Sequence, residues 1–377
     1  VGYDFPAGFC AEEIVVTRIY LDHAATSPLL PLAREAMLPW LDCGNPSTLY
    51  AEGRAARREI DLSREAVSLA AGCEFAELIF TSGGTESATL AILGAALAAI
   101  GGKRDRVLIS AAEHHCVLNT QSTLEALGFR VELIAVDQEA RPIVSGLDET
   151  VLMVCAMQAN NEIGSISDVA SIGEAAHEFG ALFFCDCVQG FLKIPIPGSA
   201  DLASLSAHKI GGPKGAGALV VRAGTRIKPV VAGGGQEREL RAGTENVAAI
   251  AGFGAAVQAF DQGGYPDTSE FRSRLMGLGA APTVRGNSLA SHVHVRFPGV
   301  SAESLLIVLD RLGVSAGSGA ACSSGSIEPS HVLLACGYSL AEAKEGIRFT
   351  VGPGTTEAEL MEAGDRVEQA LAQIGSR

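Results

Sequence analysis

A chain of 377 residues exceeds what one hydrophobic core usually serves, so two domains are expected. A hydrophobic share of 47% against 19% charged residues suits a well-packed soluble enzyme and excludes a disordered segment. The formal net charge of -15 argues against nucleic acid as a direct partner, because phosphate contacts need a basic face.

Residues 1–16 read as an expression-derived or upstream extension, since the chain opens on Val1 and strand-like character begins only near Arg18. From Thr17 to about Phe260 short apolar runs alternate with longer amphipathic ones. The predicted strands are Leu78–Thr81, Val107–Ser110, Val131–Val136, Val151–Met157, Leu182–Asp186, Leu202–Ser204 and Ala218–Val221. Between them, Leu62–Ala71, Glu86–Ala99 and Val169–Phe179 have helical periodicity. The alternation predicts an α/β fold, with a mainly parallel seven-stranded sheet between helices and ligands at the carboxyl ends of its strands.

The polar, turn-rich stretch Asp261–Ser269 marks a boundary, giving a large domain over 17–260 and a smaller α+β domain over 261–377. In the latter, Val293–Phe297 and Gly346–Thr350 read as strands, Ala302–Leu312 and Glu357–Ala372 as helices. The most apolar stretch, Ser87 to Gly102, is shorter than a membrane span and rich in small residues fit for close packing. Nine cysteines without framework spacing point to free thiols in a reducing cytoplasm.

Several strand ends carry chemistry. Lys209 follows an apolar run and Ser206-x-His208, then leads into glycines; no other lysine of the chain has that setting. Such a lysine suits a Schiff base with an aldehyde cofactor, with Ser206 and His208 holding a phosphate nearby. Thr81-Ser-Gly-Gly-Thr-Glu-Ser87 joins a strand to a helix and offers backbone N–H groups and Thr85 to an anion; the plainer alternative is a helix capped by Thr85 or Ser82. Phe183–Gln189 is a buried strand ending in Asp186, with Cys185 and Cys187 on the opposite side; a protonated pyridine nitrogen would give that acid a cationic partner. In Glu113-His-His-Cys116 a ring stacked on a flat cofactor fits better than a metal site, and Asn160–Gly164 offers amides to a phenolate oxygen. Gly233–Gly235 with Arg238, Arg241 and Thr244 carries residues suited to an anion. The run Val314–Pro329 surrounds Cys322 with small and hydroxyl residues, a setting that presents a thiol.

Together with Tyr20–Pro28, Gly44–Ser47, Gly233–Arg238, Arg241–Asn246, Ile327–Val332 and Ile347–Phe349, these motifs resemble the cysteine desulfurases. These form the NifS/IscS-like branch of the class V aminotransferase group, within the fold-type I pyridoxal-phosphate enzymes. The likeness spans nearly the whole chain after residue 17. It departs at Tyr50, where many relatives carry His, and at Pro353-Gly354, where Gly-Arg is frequent.

The resemblance implies pyridoxal 5'-phosphate linked to Lys209, with Asp186 at its ring nitrogen and His114 stacked on the ring and handling protons. It implies Asn161 and Gln189 at the ring oxygen, Asn161 also near substrate, and Thr85, Ser206 and His208 around the phosphate. Thr244 would complete that cup from the neighbouring subunit of a homodimer. Arg348 would grip the substrate carboxylate and Cys322 would take the sulfur. The implied reaction converts L-cysteine to L-alanine and an enzyme-bound persulfide for an acceptor such as an iron–sulfur scaffold. A selenocysteine lyase, another class V enzyme or an idle assembly platform are the rival readings, and the retention of Lys209, Asp186, His114 and Cys322 together speaks against the last.

Overall fold

The computed structural model of the protein describes residues 17–42, 44–260, 264–319, 322–323 and 326–375. The expected extension over 1–16 lies outside the described residues. After a short first strand, β1 (Ile19–Tyr20), the chain builds β2 (Leu78–Thr81), β3 (Arg106–Ser110), β4 (Arg130–Ile134), β5 (Val151–Met157), β6 (Leu182–Asp186), β7 (Leu202–Ser206) and β8 (Gly217–Val221). The last seven form one sheet in the order β2-β8-β7-β6-β5-β3-β4. β3, β4, β5, β6 and β7 pair in parallel, while β8 runs antiparallel to both β7 and β2. The carboxyl ends of β2, β3, β5, β6 and β7 therefore share one edge of the sheet.

Alternation along the strands divides the core between the sheet's two faces. Leu108, Val154, Phe183 and Cys185 pack in one cluster, and Val107, Ile109, Cys155 and Phe184 in another. Phe183 and Phe184 are fully buried on opposite sides, each worth about 1.5–3 kcal/mol of apolar burial. Cys187 joins Cys185 in the first cluster, as the period of two requires.

The helix predicted from Leu62 begins at Ala51 and runs to Ala71. Its buried positions Gly53, Ala56, Ile60, Arg64, Val67 and Ala71 keep helical spacing, but the first turns are so small and charged that hydrophobicity alone does not reveal them. Gly72 ends it in the left-handed region at φ 62°, with the Cys73 N–H closing on the Ser68 carbonyl at 3.0 Å. The apolar helix Gly84–Ala99 is buried nearly all round. Its glycine matters: a Cβ at Gly94 would stand 2.7 Å from the Lys228 carbonyl.

Beyond residue 264 come β9 (Ala281–Pro282), β10 (His292–Arg296), β11 (Val314–Ser315), β12 (Cys322–Ser323), β13 (Ser326–Ile327) and β14 (Gly346–Thr350). β14, β10 and β9 form an antiparallel sheet covered by Ala302–Arg311 and Glu357–Gly375, whose apolar side chains share one cluster with it. β1 pairs in parallel with β11, so Ile19 and Leu21 pack in this same cluster although they open the chain. Among the described residues no helix is long and apolar enough to cross a membrane.

Candidate active site

At the shared edge of the large sheet lies a cleft of about 400 Å³. Thr85 after β2, His114 after β3, Asn161 after β5, Asp186 and Gln189 at β6, and Ser206, His208 and Lys209 at β7 all line it, with Arg348 from β14. Thr244 does not line it, and the side chain of Cys322 lies outside the description, although Gly319 on the same segment reaches the cleft wall.

Register explains how distant residues converge. Thr81 and Ser206 both stand opposite Gly217 of β8, one on each side. A Cβ on Gly84 would lie 2.6 Å from Val188 Cγ2, so only a glycine lets this helix start pack against the turn that follows β6, with Ser206 of β7 in ordinary contact at 3.8 Å. The helix Gly84–Ala99 has Gly83 at its N-cap and no side-chain cap, so neither Ser82 nor Thr85 fills the role of the plainer reading.

Lys209 donates from Nζ to the carbonyls of Ala24 at 2.6 Å and Ala25 at 3.0 Å. Burial, and then the Arg348 charge, lower its ammonium to about 8, against the opposing pull of Asp22 and Asp186. Asp186 is held by the Ser204 hydroxyl at 3.0 Å and the Val188 N–H at 2.9 Å, both on Oδ1. His114 accepts the Cys116 N–H on Nδ1 at 3.1 Å, which places the proton of the neutral ring on Nε2. Burial lowers its pKa, with Asp186 opposing and Lys209 assisting. His208 contacts Thr26 Oγ1 through Nδ1 at 3.2 Å, and burial with Lys209 and Lys214 nearby lowers it to about 4.

Arg348 is engaged more fully than its sequence role suggests. It donates to Asp22 Oδ1 at 2.7 Å and to the Asn161 carbonyl at 2.6 Å, each through one N–H of a terminal nitrogen, so each of these nitrogens keeps a second N–H for a carboxylate. Asp22 is thus a site residue that the sequence reading passes over, although it stands inside the matched run Tyr20–Pro28. Glu113 does not line the cleft: fully buried, it accepts the Met157 N–H at 2.7 Å, and burial followed by the Asp186 charge raises its carboxyl well above the ordinary range.

Arg238 and Arg241, expected to suit an anion, are spent inside the chain. Arg238 donates to the carbonyls of Leu78 at 2.7 Å and Phe75 at 2.8 Å, and Arg241 pairs with Glu86 at 2.7 Å. Thr244 stands exposed on the turn between Arg241 and the buried Glu245.

Among the described residues, Ser206 Oγ, Asn161 Oδ1, Gln189 Oε1 and Arg348 Nε are buried without a hydrogen-bond partner. Unpaired buried polar atoms are costly, and clustered around one cleft they mark groups that a ligand completes. With a lysine amine near neutrality, a buried aspartate and an uncapped helix start, they fit a phosphorylated pyridoxal group.

The comparisons agree with this geometry. The family profile described as Aminotransferase class-V matches residues 19–362. "Cysteine desulfurase IscS" of Dictyoglomus turgidum (strain DSM 6724 / Z-1310) is 39% identical, over 94% of this chain and 95% of that protein. Among solved structures, a "NIFS-LIKE PROTEIN" superposes with a TM-score of 0.86 at 31% identity, covering 94% of this chain and 99% of that one. "SspA in complex with cysteine" superposes at 0.78 with 31% identity, covering 89% and 99%. The chain belongs to the class-V aminotransferase family.

Proposed function

We propose that the protein is a pyridoxal-phosphate-dependent cysteine desulfurase, converting L-cysteine to L-alanine with the sulfur retained as a persulfide on Cys322. One observation carries the reading: Lys209, Asp186, His114 and the unpaired oxygens of Ser206, Asn161 and Gln189 line a single cleft. The names of the relatives support the substrate.

In this reading Lys209 attaches the cofactor, Asp186 faces the pyridine nitrogen, and Thr85, Ser206 and His208 hold the phosphate at the helix start. When bound, the cofactor supplies an electron sink for the pair released at the substrate Cα. Arg348, steadied by Asp22, would hold the substrate carboxylate, and Asn161 lies beside it. The neutral Lys209 amine would take the Cα proton and later return it to the same carbon, and its lowered pKa favours that form. His114 holds a proton at Nε2, over the cleft. The Cys322 thiolate attacks the substrate sulfur: an S–S bond forms, the carbon–sulfur bond breaks, the β-carbon keeps the pair and takes up a proton, and the Cα proton held by Lys209 returns to give alanine. Cysteine and a thiol thus give alanine and a persulfide, with no external oxidant.

We further place the active site between two subunits of a homodimer, with Thr244 reaching the partner's phosphate, and read the sulfur acceptor as a protein such as an iron–sulfur scaffold. The free thiols of Cys73, Cys116, Cys155, Cys185, Cys187 and Cys336 suit a reducing cytoplasm. Cys322→Ala tests the reading. The variant still shows the cofactor's spectral response to L-cysteine but forms no persulfide and no alanine; normal turnover would move the nucleophile elsewhere, with Cys116 and Cys336 next to examine.

A further inference from the structure

The turn that follows β5 has two faces. Asn161 lines the cleft, whereas Glu162, one residue on, is buried at 1% exposure on the other side. The Asn160 side chain fixes this turn by accepting the Glu162 N–H at 2.9 Å and the Ile163 N–H at 3.0 Å, while its amide donates to the Ala112 carbonyl at 3.1 Å. Glu162 therefore cannot swing without disturbing the wall that carries Asn161.

Both ends of the segment bearing Cys322 rest on this carboxylate. On the near side is Gly319, in the left-handed region at φ +81°; a Cβ there would stand 2.9 Å from Glu162 Cβ and 3.2 Å from its Oε2. Only glycine satisfies both that backbone and that approach. On the far side, the Ser330 hydroxyl donates to Glu162 Oε2 and accepts the Leu333 N–H at 3.0 Å, capping the helix His331–Ala335. His331 donates from Nε2 to the Glu113 carbonyl at 2.9 Å, so the neutral ring turns an unprotonated Nδ1 toward Glu162 Oε1, 3.7 Å away. The His115 ring packs on His331 with centroids 4.4 Å apart.

We infer that Glu162 is a positioning residue for sulfur transfer, a single buried carboxylate that ties both ends of the Cys322 segment to the turn presenting Asn161. It touches neither cofactor nor substrate. Its role is to set where Cys322 stands relative to the substrate sulfur. Burial raises its carboxyl to about 7, against the hydrogen bond from Ser330 and the charge of Arg348. The inference rests on the reading of Cys322 as the sulfur-accepting thiol.

The test compares holoenzymes of Glu162→Leu, Ser330→Ala and Glu162→Gln in a single turnover with L-cysteine. Cofactor absorbance reports the chemistry at Lys209, and mass spectrometry of the Cys322 peptide reports persulfide. In Glu162→Leu and Ser330→Ala the absorbance change keeps the wild-type rate, and persulfide forms about 10- to 100-fold more slowly, the order of loss when a reacting group is displaced by about an ångström. Glu162→Gln, which still accepts from Ser330, recovers most of the rate. Wild-type persulfide rates in Ser330→Ala and Glu162→Leu would overturn the inference. So would a loss of cofactor, melting temperature and absorbance rate in equal measure, since that describes a scaffold residue only. Should Glu162→Leu not fold, Ser330→Ala decides alone, because it removes one hydroxyl from the opposite side of the same tie. Persulfide or alanine formation by Cys322→Ala would defeat the underlying reading instead, whatever the Glu162 variants do.

Discussion

The cleft and the segment Gly233–Asn246 treat their polar atoms in opposite ways. Around the cleft, buried polar atoms of Ser206, Asn161, Gln189 and Arg348 lack partners among the described residues. Along the segment, the buried charges find partners inside the chain, and Glu245 Oε2 is the one buried side-chain atom of the segment left unpaired among the described residues. Glu237 meets the Arg64 guanidinium with 2.6 and 2.8 Å bonds and accepts the Phe80 N–H at 2.8 Å, Arg241 meets Glu86, and Glu245 meets Arg57 at 2.7 Å. Arg64 also lies over the Phe80 ring at 4.7 Å. Satisfied polar groups hold a shape; unsatisfied ones await a ligand. The first kind is worth stability and the second function, and mutation separates them.

The largest effect falls in the cleft. Lys209→Ala loses its covalent link to the cofactor and turnover falls by roughly 10⁴-fold or more, beyond the range for a proton-transfer group alone. The apoprotein loses no melting temperature, because burial disfavours the Lys209 ammonium and its removal relieves that cost. A borohydride-reduced adduct found on Lys214 would break the assignment, and a collapsed melting temperature would break the contrast.

In the segment the order reverses. Glu237→Ala strands the buried Arg64 and the Phe80 N–H, at a cost of about 3–5 kcal/mol read from denaturant unfolding. Absorbance of the Lys209-bound cofactor in the surviving folded fraction stays as in the wild type. A loss under about 1 kcal/mol would mean that the pair merely breaks even against water.

These two regions were unequally legible in the sequence, for physical reasons. The cleft residues each follow a strand whose apolar run is plain, and the family motifs attach to those ends. Asp22 escapes because its meaning is its partner: Arg348 stands 326 residues away. Glu162 escapes likewise, since Asn160–Gly164 reads as a turn and the weight of its glutamate appears only with Ser330 in place. In the segment, Glu237, Arg238 and Glu239 occupy the left-handed region at φ 44°, 56° and 64°. Nothing in Glu-Arg-Glu announces that conformation, which buried pairing imposes against its local cost. The fold class is easier, since strands alternating with helices imply a mainly parallel sheet, whereas the strand order and the pairing of β1 with β11, far along the chain, do not follow from alternation.

A smaller effect tests whether the two regions meet across a dimer. Thr244→Ala removes one exposed hydroxyl, and cofactor affinity falls about tenfold, as for one hydrogen bond to a charged group. Each site of the proposed dimer draws Lys209 and Thr244 from different chains. Mixing Thr244→Ala with Lys209→Ala therefore rebuilds one intact site in every mixed dimer, and activity returns at cofactor concentrations too low to load Thr244→Ala alone. No recovery after verified subunit exchange would show that Thr244 serves its own chain.

The smallest effect is on pH, and it probes how the cleft tunes its amine. Burial, first, and Arg348, second, disfavour the Lys209 ammonium and bring its pKa from 10.5 to about 8. At neutral pH roughly a tenth of the amine is then uncharged, against roughly 0.03% for an ordinary lysine. Covalent loading of apoprotein by pyridoxal phosphate, followed by absorbance, should thus rise about tenfold from pH 7 to 9 and level off, with its midpoint near 8. His208, lowered to about 4, and His114, also below its ordinary value, stay clear of this window, whereas Lys193, brought by burial and the Lys209 charge to about 7, titrates at its lower edge. The same shift links protons to folding: the unfolded lysine holds its proton up to 10.5, so apoprotein stability rises with pH between about 8 and that value. Arg348→Met removes a cation and also frees the charge of Asp22, and both changes favour the ammonium. The loading midpoint should therefore move to higher pH; a midpoint that stays put would assign the whole depression to burial and leave Arg348 with the substrate alone.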